Sequence, residues 1–223
     1  MASKSGLLSA TVGRKIAMAL SALFLLIFLT QHLVINLSSV ISADAFNELS
    51  HFMGTNGLIQ FVMQPVLIFG VVFHFVMGFI LTAKNNAARP VKYAKNNSAA
   101  NSSWTSRNMI LSGVVILLFL GLHFYDFWIP EISHKYIHSL PEDETRYYGE
   151  LVAKFQDPIR VGIYCLAFIF LGLHLAHGFK SSFQSMGWNH PKYNPIIKGI
   201  GTFYSVVVPV GFIFIAVFHF INS

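Results

Sequence analysis

Ten histidines occur in 223 residues, and six of them (His32, His74, His123, His174, His177 and His219) lie within or at the ends of long apolar runs. His51, His134, His138 and His190 fall in the polar connections. An ionisable side chain inside hydrocarbon is costly, which makes each intramembrane histidine a candidate for function. A neutral imidazole is a common metal ligand. A lone histidine in a span serves equally well as an interhelical hydrogen-bond donor, so arrangement has to separate the two uses.

Depth supplies that arrangement. His74 lies about 14 Å and His174 about 10 Å from the more basic end of their runs, at about 1.5 Å per residue. His32 lies about 25 Å and His123 about 21 Å from the same boundary. The four therefore sort into an inner pair (His74, His174) and an outer pair (His32, His123), each drawn from two helices. A bis-histidine haem needs two neutral imidazoles at one depth, facing each other across a porphyrin. The two layers are about 10 Å apart, close enough for electrons to pass between them. His177 competes with His174 but lies only about 6 Å from the boundary, where a haem propionate or a lipid head group is the better partner. Gly70 and Gly78 flank His74 at four residues, and Gly178 follows His174 at the same spacing. Such notches suit either a flat macrocycle or ordinary helix packing. His219, with no depth-matched partner, reads as interfacial.

The elements that must hold these residues are five apolar runs, Ile16–Leu37, Leu58–Ala83, Met109–Ile129, Val161–Phe179 and Ile200–Ile221. Each is long enough to cross about 30 Å of hydrocarbon. With 54% hydrophobic and only 11% charged residues, the chain is too apolar for disorder and too poor in charge for an ordinary soluble domain. The expected fold is an all-α membrane protein, a single transmembrane domain over residues 1–223 with five helices in a bundle. The first run reads as a retained span, not a signal peptide. The connection from Pro130 to Arg160 has room for a short surface helix.

Basic residues in short loops set the orientation. Lys4, Arg14 and Lys15 precede the first run; Lys84, Arg89, Lys92, Lys95 and Arg107 separate the second and third; Lys180, Lys192 and Lys198 separate the fourth and fifth. Lys135, Arg146, Lys154 and Arg160 lie on the other side, with all nine acidic residues. The amino terminus is expected to be cytoplasmic and the carboxyl terminus external, with Trp104, Trp128 and Trp188 at span ends. The net charge of +6 then follows from topology and calls for no nucleic-acid partner. The single Cys165 permits no intrachain disulfide. Zinc would need clustered donors that these separate helices do not offer, and neither a nucleophile elbow nor a phosphate-binding glycine loop occurs.

The segments Thr30-Gln31-His32-Leu33-Val34-Ile35-Asn36, Ala43-Asp44-Ala45-Phe46-Asn47 and His51-Phe52-Met53 resemble the cytochrome b membrane anchor of bacterial succinate:menaquinone oxidoreductases and fumarate reductases. So do Phe73-His74 leading to Thr82-Ala83-Lys84-Asn85-Asn86, Leu122-His123, and Phe170-Leu171-Gly172-Leu173-His174 leading to Gly178. The resemblance runs through the whole chain in order. It implies a single-chain, five-helix anchor in the bacterial cytoplasmic (inner) membrane, carrying two haems b on His32, His74, His123 and His174. It favours His174 over His177, because glycine follows the fourth-helix ligand by four residues in that family. It also implies flavoprotein and iron–sulfur partner subunits on the cytoplasmic side and menaquinone as electron acceptor. Under this reading Arg14, Lys15 and His177 are candidates for the propionates, and Asp44, Glu48, His51 and Asp126 for the quinone. Some fumarate reductases of the family carry a membrane glutamate near the fourth-helix ligand, and here the fourth run has no acidic residue. The alternatives are a dihaem anchor for a different quinone-linked dehydrogenase and a haem-free transporter or anchor.

Overall fold

The computed structural model describes residues 11–87 and 104–222. Lys4, Arg89, Lys92 and Lys95, four of the basic residues used for topology, lie outside them. Among the described residues every regular element is helical. The helices are α1 (Thr11–Ile41), α2 (Ala43–Thr55), α3 (Gln64–Ala87), α4 (Met109–His123), α5 (Arg146–Phe155), α6 (Pro158–Ser185) and α7 (Asn194–Asn222). A π-helical turn, Ile59–Met63, leads into α3, and a single turn, Trp104–Arg107, precedes α4.

Five helical stretches are long and apolar enough to cross a membrane, with 28 to 30 residues each. At 1.5 Å per residue they reach about 42–45 Å, so their ends protrude beyond about 30 Å of hydrocarbon. Hydropathy marks only the part that lipid can solvate, which is why the apolar runs are shorter than the helices. The third span departs most from expectation. It continues past Ile129 to Ile137 through two π-helical turns, Phe124–Trp128 and Ser133–Ile137, on either side of Ile129–Ile132. Pro130 does not stop it, because it sits in the first turn of that middle segment, where the missing N–H costs little.

Two short helices close the outer end. α5 occupies the connection expected to hold one and buries Leu151 and Phe155. α2, which hydropathy does not announce, starts at Ser42, whose side chain accepts the Ala45 N–H. The two are joined by Asn47 Oδ1, which accepts the Tyr148 backbone N–H at 2.8 Å. α6 begins on Asp157, whose carboxylate accepts the Ile159 N–H at 2.9 Å, with Pro158 in the first turn.

α6 is central, packed against α1, α4 and α7. It meets α7 closely at Pro209. Proline there cannot donate to the Ser205 carbonyl, and that oxygen lies only 3.0 Å from where a Cβ on Gly172 would stand. Glycine is required at this crossing. Phe61, Phe69 and Phe79 project outward around α3, as lipid-facing side chains do.

Gly172→Val therefore drives a side chain into backbone that cannot move aside, and is expected to destabilise the bundle by about 1–3 kcal/mol. Gly162 faces open space, so Gly162→Ala should leave stability equal or slightly raised. Thermal denaturation of the detergent-solubilised protein compares the two; equal melting temperatures would count against the packing described.

Candidate functional site

The bundle brings the depth-sorted histidines into two pairs. His74 of α3 faces His174 of α6 with ring centroids 6.3 Å apart and planes at 64°. His32 of α1 faces His123 of α4 at 5.7 Å and 87°. All four residues are half-buried, not sealed into the core. Aromatic rings wall the outer pair: Phe28 and Phe212 lie 5.4 and 5.7 Å from His32, and Phe127 and Phe119 lie 5.2 and 5.7 Å from His123.

The inner pair has polar support that the sequence reading missed. Ser21 Oγ lies 3.0 Å from His74 Nδ1 and donates to the Met18 carbonyl at 2.8 Å. Ser112 Oγ lies 3.2 Å from His174 Nδ1 and donates to the Met109 carbonyl at 2.9 Å. A hydroxyl has one proton. Since each serine spends it on the carbonyl three residues back, each must accept from the imidazole. This arrangement favours the Nδ1–H tautomer of both inner rings, with the lone pair on Nε2.

Ser21 precedes His32, and Ser112 precedes His123, by eleven residues. Eleven residues make three turns, so hydroxyl and imidazole share a helix face. Met18 lies 3.7 Å from a Cβ built at Gly78, and Met109 lies 3.5 Å from one built at Gly178. The two halves, α1 with α3 and α4 with α6, thus repeat one pattern: Met-x-x-Ser on one helix against His-x-x-x-Gly on the other. This internal spacing is the signal that could have found the serines. It also shows what fills the glycine notches, namely the two methionines and, at Gly70, Phe24 at 3.0 Å.

Metal chemistry suits the pairs. Two imidazole–metal bonds of about 2.0–2.1 Å, plus the ring radii, put centroids on opposite sides of a metal about 6 Å apart. Among the described residues no three His, Cys, Asp or Glu side chains gather as a metal site would. A metal held by either pair must therefore bring its remaining donors with it, as a metal in a planar macrocycle does. Arg14, two turns before Ser21 on the same face, has a buried Nε without a hydrogen-bond partner. Such a group fits a carboxylate. Lys15 is exposed and His177 half-buried, outside both pairs.

The residues expected near the outer face separate. Asp44 and Glu48 are exposed on α2. His51 is half-buried, its Nε2 3.7 Å from Glu144 and 3.9 Å from Glu142, its Nδ1 buried without a partner. Around it Glu131 pairs with Lys135 and Arg146, while Arg146 also pairs with Glu150 at 2.7 Å. Burial pushes the neighbouring Tyr147 hydroxyl above its usual range. Asp126 is no solvent-facing carboxylate; it is 1% exposed. One oxygen accepts from Arg160 at 2.6 Å and the other from Tyr164 at 2.8 Å. It sits in the π-helical turn directly after His123, and the Tyr164 ring lies 6.3 Å from that imidazole, tilted at 58°. His219, expected at the interface, is instead 2% exposed, with Nε2 2.9 Å from Ser39 Oγ. It ties α7 to α1.

Over 103 residues the chain is 32% identical to the succinate dehydrogenase cytochrome b558 subunit of Bacillus subtilis (strain 168). That stretch covers 45% of this chain and 46% of the other protein, so the match spans about half the length of the curated relative. No family model matches the chain, and no solved structure matches it.

Removing one partner of a buried ion pair costs about 3–5 kcal/mol, and Arg160 keeps some access to water. Asp126→Asn is therefore expected to destabilise by about the lower end of that range. Arg160→Gln added to it should cost less than the two single changes combined. Denaturation midpoints of the three variants test this, and strict additivity would contradict a direct pair.

Proposed function

We propose that this chain is the cytochrome b membrane anchor of a bacterial succinate dehydrogenase, binding one haem b between His74 and His174 and a second between His32 and His123. The observation that carries the reading is the pair of imidazole couples, each from two helices, at two depths along one bundle. The likeness to the Bacillus subtilis subunit supports the choice of complex. When bound, haem b supplies reversible one-electron transfer, and two in series would connect a cytoplasmic flavoprotein and iron–sulfur pair to menaquinone near the outer face.

The chain's own part is to bind, orient and insulate. The four imidazoles would hold the two haems through neutral nitrogens, at a cost in membrane insertion that ligation would offset. Phe28, Phe119, Phe127 and Phe212 keep water from the outer pair. Arg14 is the first choice for an inner propionate, with Lys15 and His177 behind it. Reduction of a quinone consumes protons, so its site needs a polar group with access to the outer water. His51 fits best, between Glu142 and Glu144 and beside Tyr147. Asp44 and Glu48 are open to solvent and could feed protons. Asp126, both of whose oxygens are engaged, would hold Arg160 and Tyr164 in place beside His123. The amino terminus is read as cytoplasmic from the basic residues alone, and the membrane as the cytoplasmic one.

The test is a reduced-minus-oxidised spectrum with haem quantification on the purified complex. Two haems b per chain are expected. His74→Ala and His174→Ala should each remove the same one, and His32→Ala and His123→Ala the other. A colourless protein sinks the reading, and loss of a haem in His177→Ala but not in His174→Ala reassigns the inner ligand. Co-purification of a flavoprotein that oxidises succinate identifies the complex; its absence, with both haems present, favours a different dehydrogenase.

A further inference from the structure

Among the buried polar groups beyond the four paired imidazoles are the Asp126–Arg160–Tyr164 cluster, the Ser39–His219 bond, and the two serines under the inner pair. The first two are bonds between groups of the protein itself. The serines act on atoms that the proposed site uses, and they do so twice with the same geometry.

We infer that Ser21 and Ser112 are positioning residues that fix the tautomer and the donor strength of the inner histidine pair. The inference rests on the haem reading above and adds to it. Each hydroxyl is locked by its bond to the carbonyl three residues back, so it can present only an acceptor to Nδ1. An imidazole whose Nδ1–H is bound is a fixed and more basic ligand through Nε2. Among the described residues the outer pair has no such acceptor. His32 Nδ1 lies 3.4 Å from the Asn36 amide nitrogen, a donor, and His123 Nδ1 is buried without a partner. The serines are therefore specific to the inner layer and are not a general feature of histidines in this bundle. A more basic axial ligand favours the oxidised, more positive metal. Removing the acceptor shifts the balance towards the reduced form and raises the midpoint potential.

The experiment is a redox titration of the purified wild-type complex and of Ser21→Ala, Ser112→Ala, Ser21→Thr and Ser112→Thr, with haem quantified in each. The inner haem is identified as the one lost in His74→Ala. Each alanine variant is expected to keep two haems and to raise the reduced-to-oxidised ratio of the inner haem about tenfold at a fixed potential, about 59 mV for one electron. The outer haem should not move. Threonine keeps a hydroxyl that can bond the same carbonyl and is expected to restore the wild-type value. An inner potential unchanged in both alanine variants overturns the inference, as do threonine variants shifted as far as alanine. Where an alanine variant loses the inner haem altogether, recovery of that haem in the threonine variant supports the role, and failure to recover it overturns it. A wild-type complex without haem overturns the parent reading and this inference with it, before any serine variant is made.

Discussion

Every nitrogen of an imidazole placed in hydrocarbon needs a partner, because an unpaired buried polar group costs several kcal/mol with no water to relieve it. That requirement is met in the inner pair and at His219, whereas His123 Nδ1 is buried without a partner. Nδ1 of His74 and of His174 is met by a serine on the neighbouring helix, and Nε2 of His219 by Ser39. What is left over in the inner pair is a lone pair on Nε2 of each ring, on two helices whose imidazoles stand 6.3 Å apart. One nitrogen of each inner ring is thus paired within the protein.

The helices are arranged to serve that geometry. α1 and α4 each carry a serine and, three turns later, an outer histidine. α3 and α6 each carry an inner histidine with a glycine one turn on. The two-fold likeness explains how one packing solution, methionine against glycine and serine against histidine, supports both inner rings. α6 lies at the centre because it must reach α1, α4 and α7 together, and Gly172 opposite Pro209 lets it approach closely enough.

The outer end follows a different rule. There charge is abundant, and much of it is paired: Asp126 with Arg160, Glu131 with Lys135 and Arg146, His51 beside Glu142 and Glu144. A buried pair of this kind is poor evidence for stability as such, but it holds the rim of the outer histidine pair in a fixed shape. The π-helical turn Phe124–Trp128 directs Asp126 inward right after His123. Turns of this type interrupt helices frequently at functional sites.

Hydropathy and the spacing of histidines were enough to read five helices and to sort His32, His74, His123 and His174 by depth. Both follow from local facts, the length needed to cross hydrocarbon and the fixed rise of a helix. Depth alone cannot tell which face a side chain occupies or what lies on the next helix. The serines under the inner rings, the burial of Asp126 and the inward place of His219 were therefore decided only by packing. So was the run of the third span through Pro130, since π-helical turns leave no mark in composition. The sequence determined how far along its helix each histidine lies; the tertiary structure decided which of them meet, because contact between helices depends on rotation and crossing that no single helix encodes.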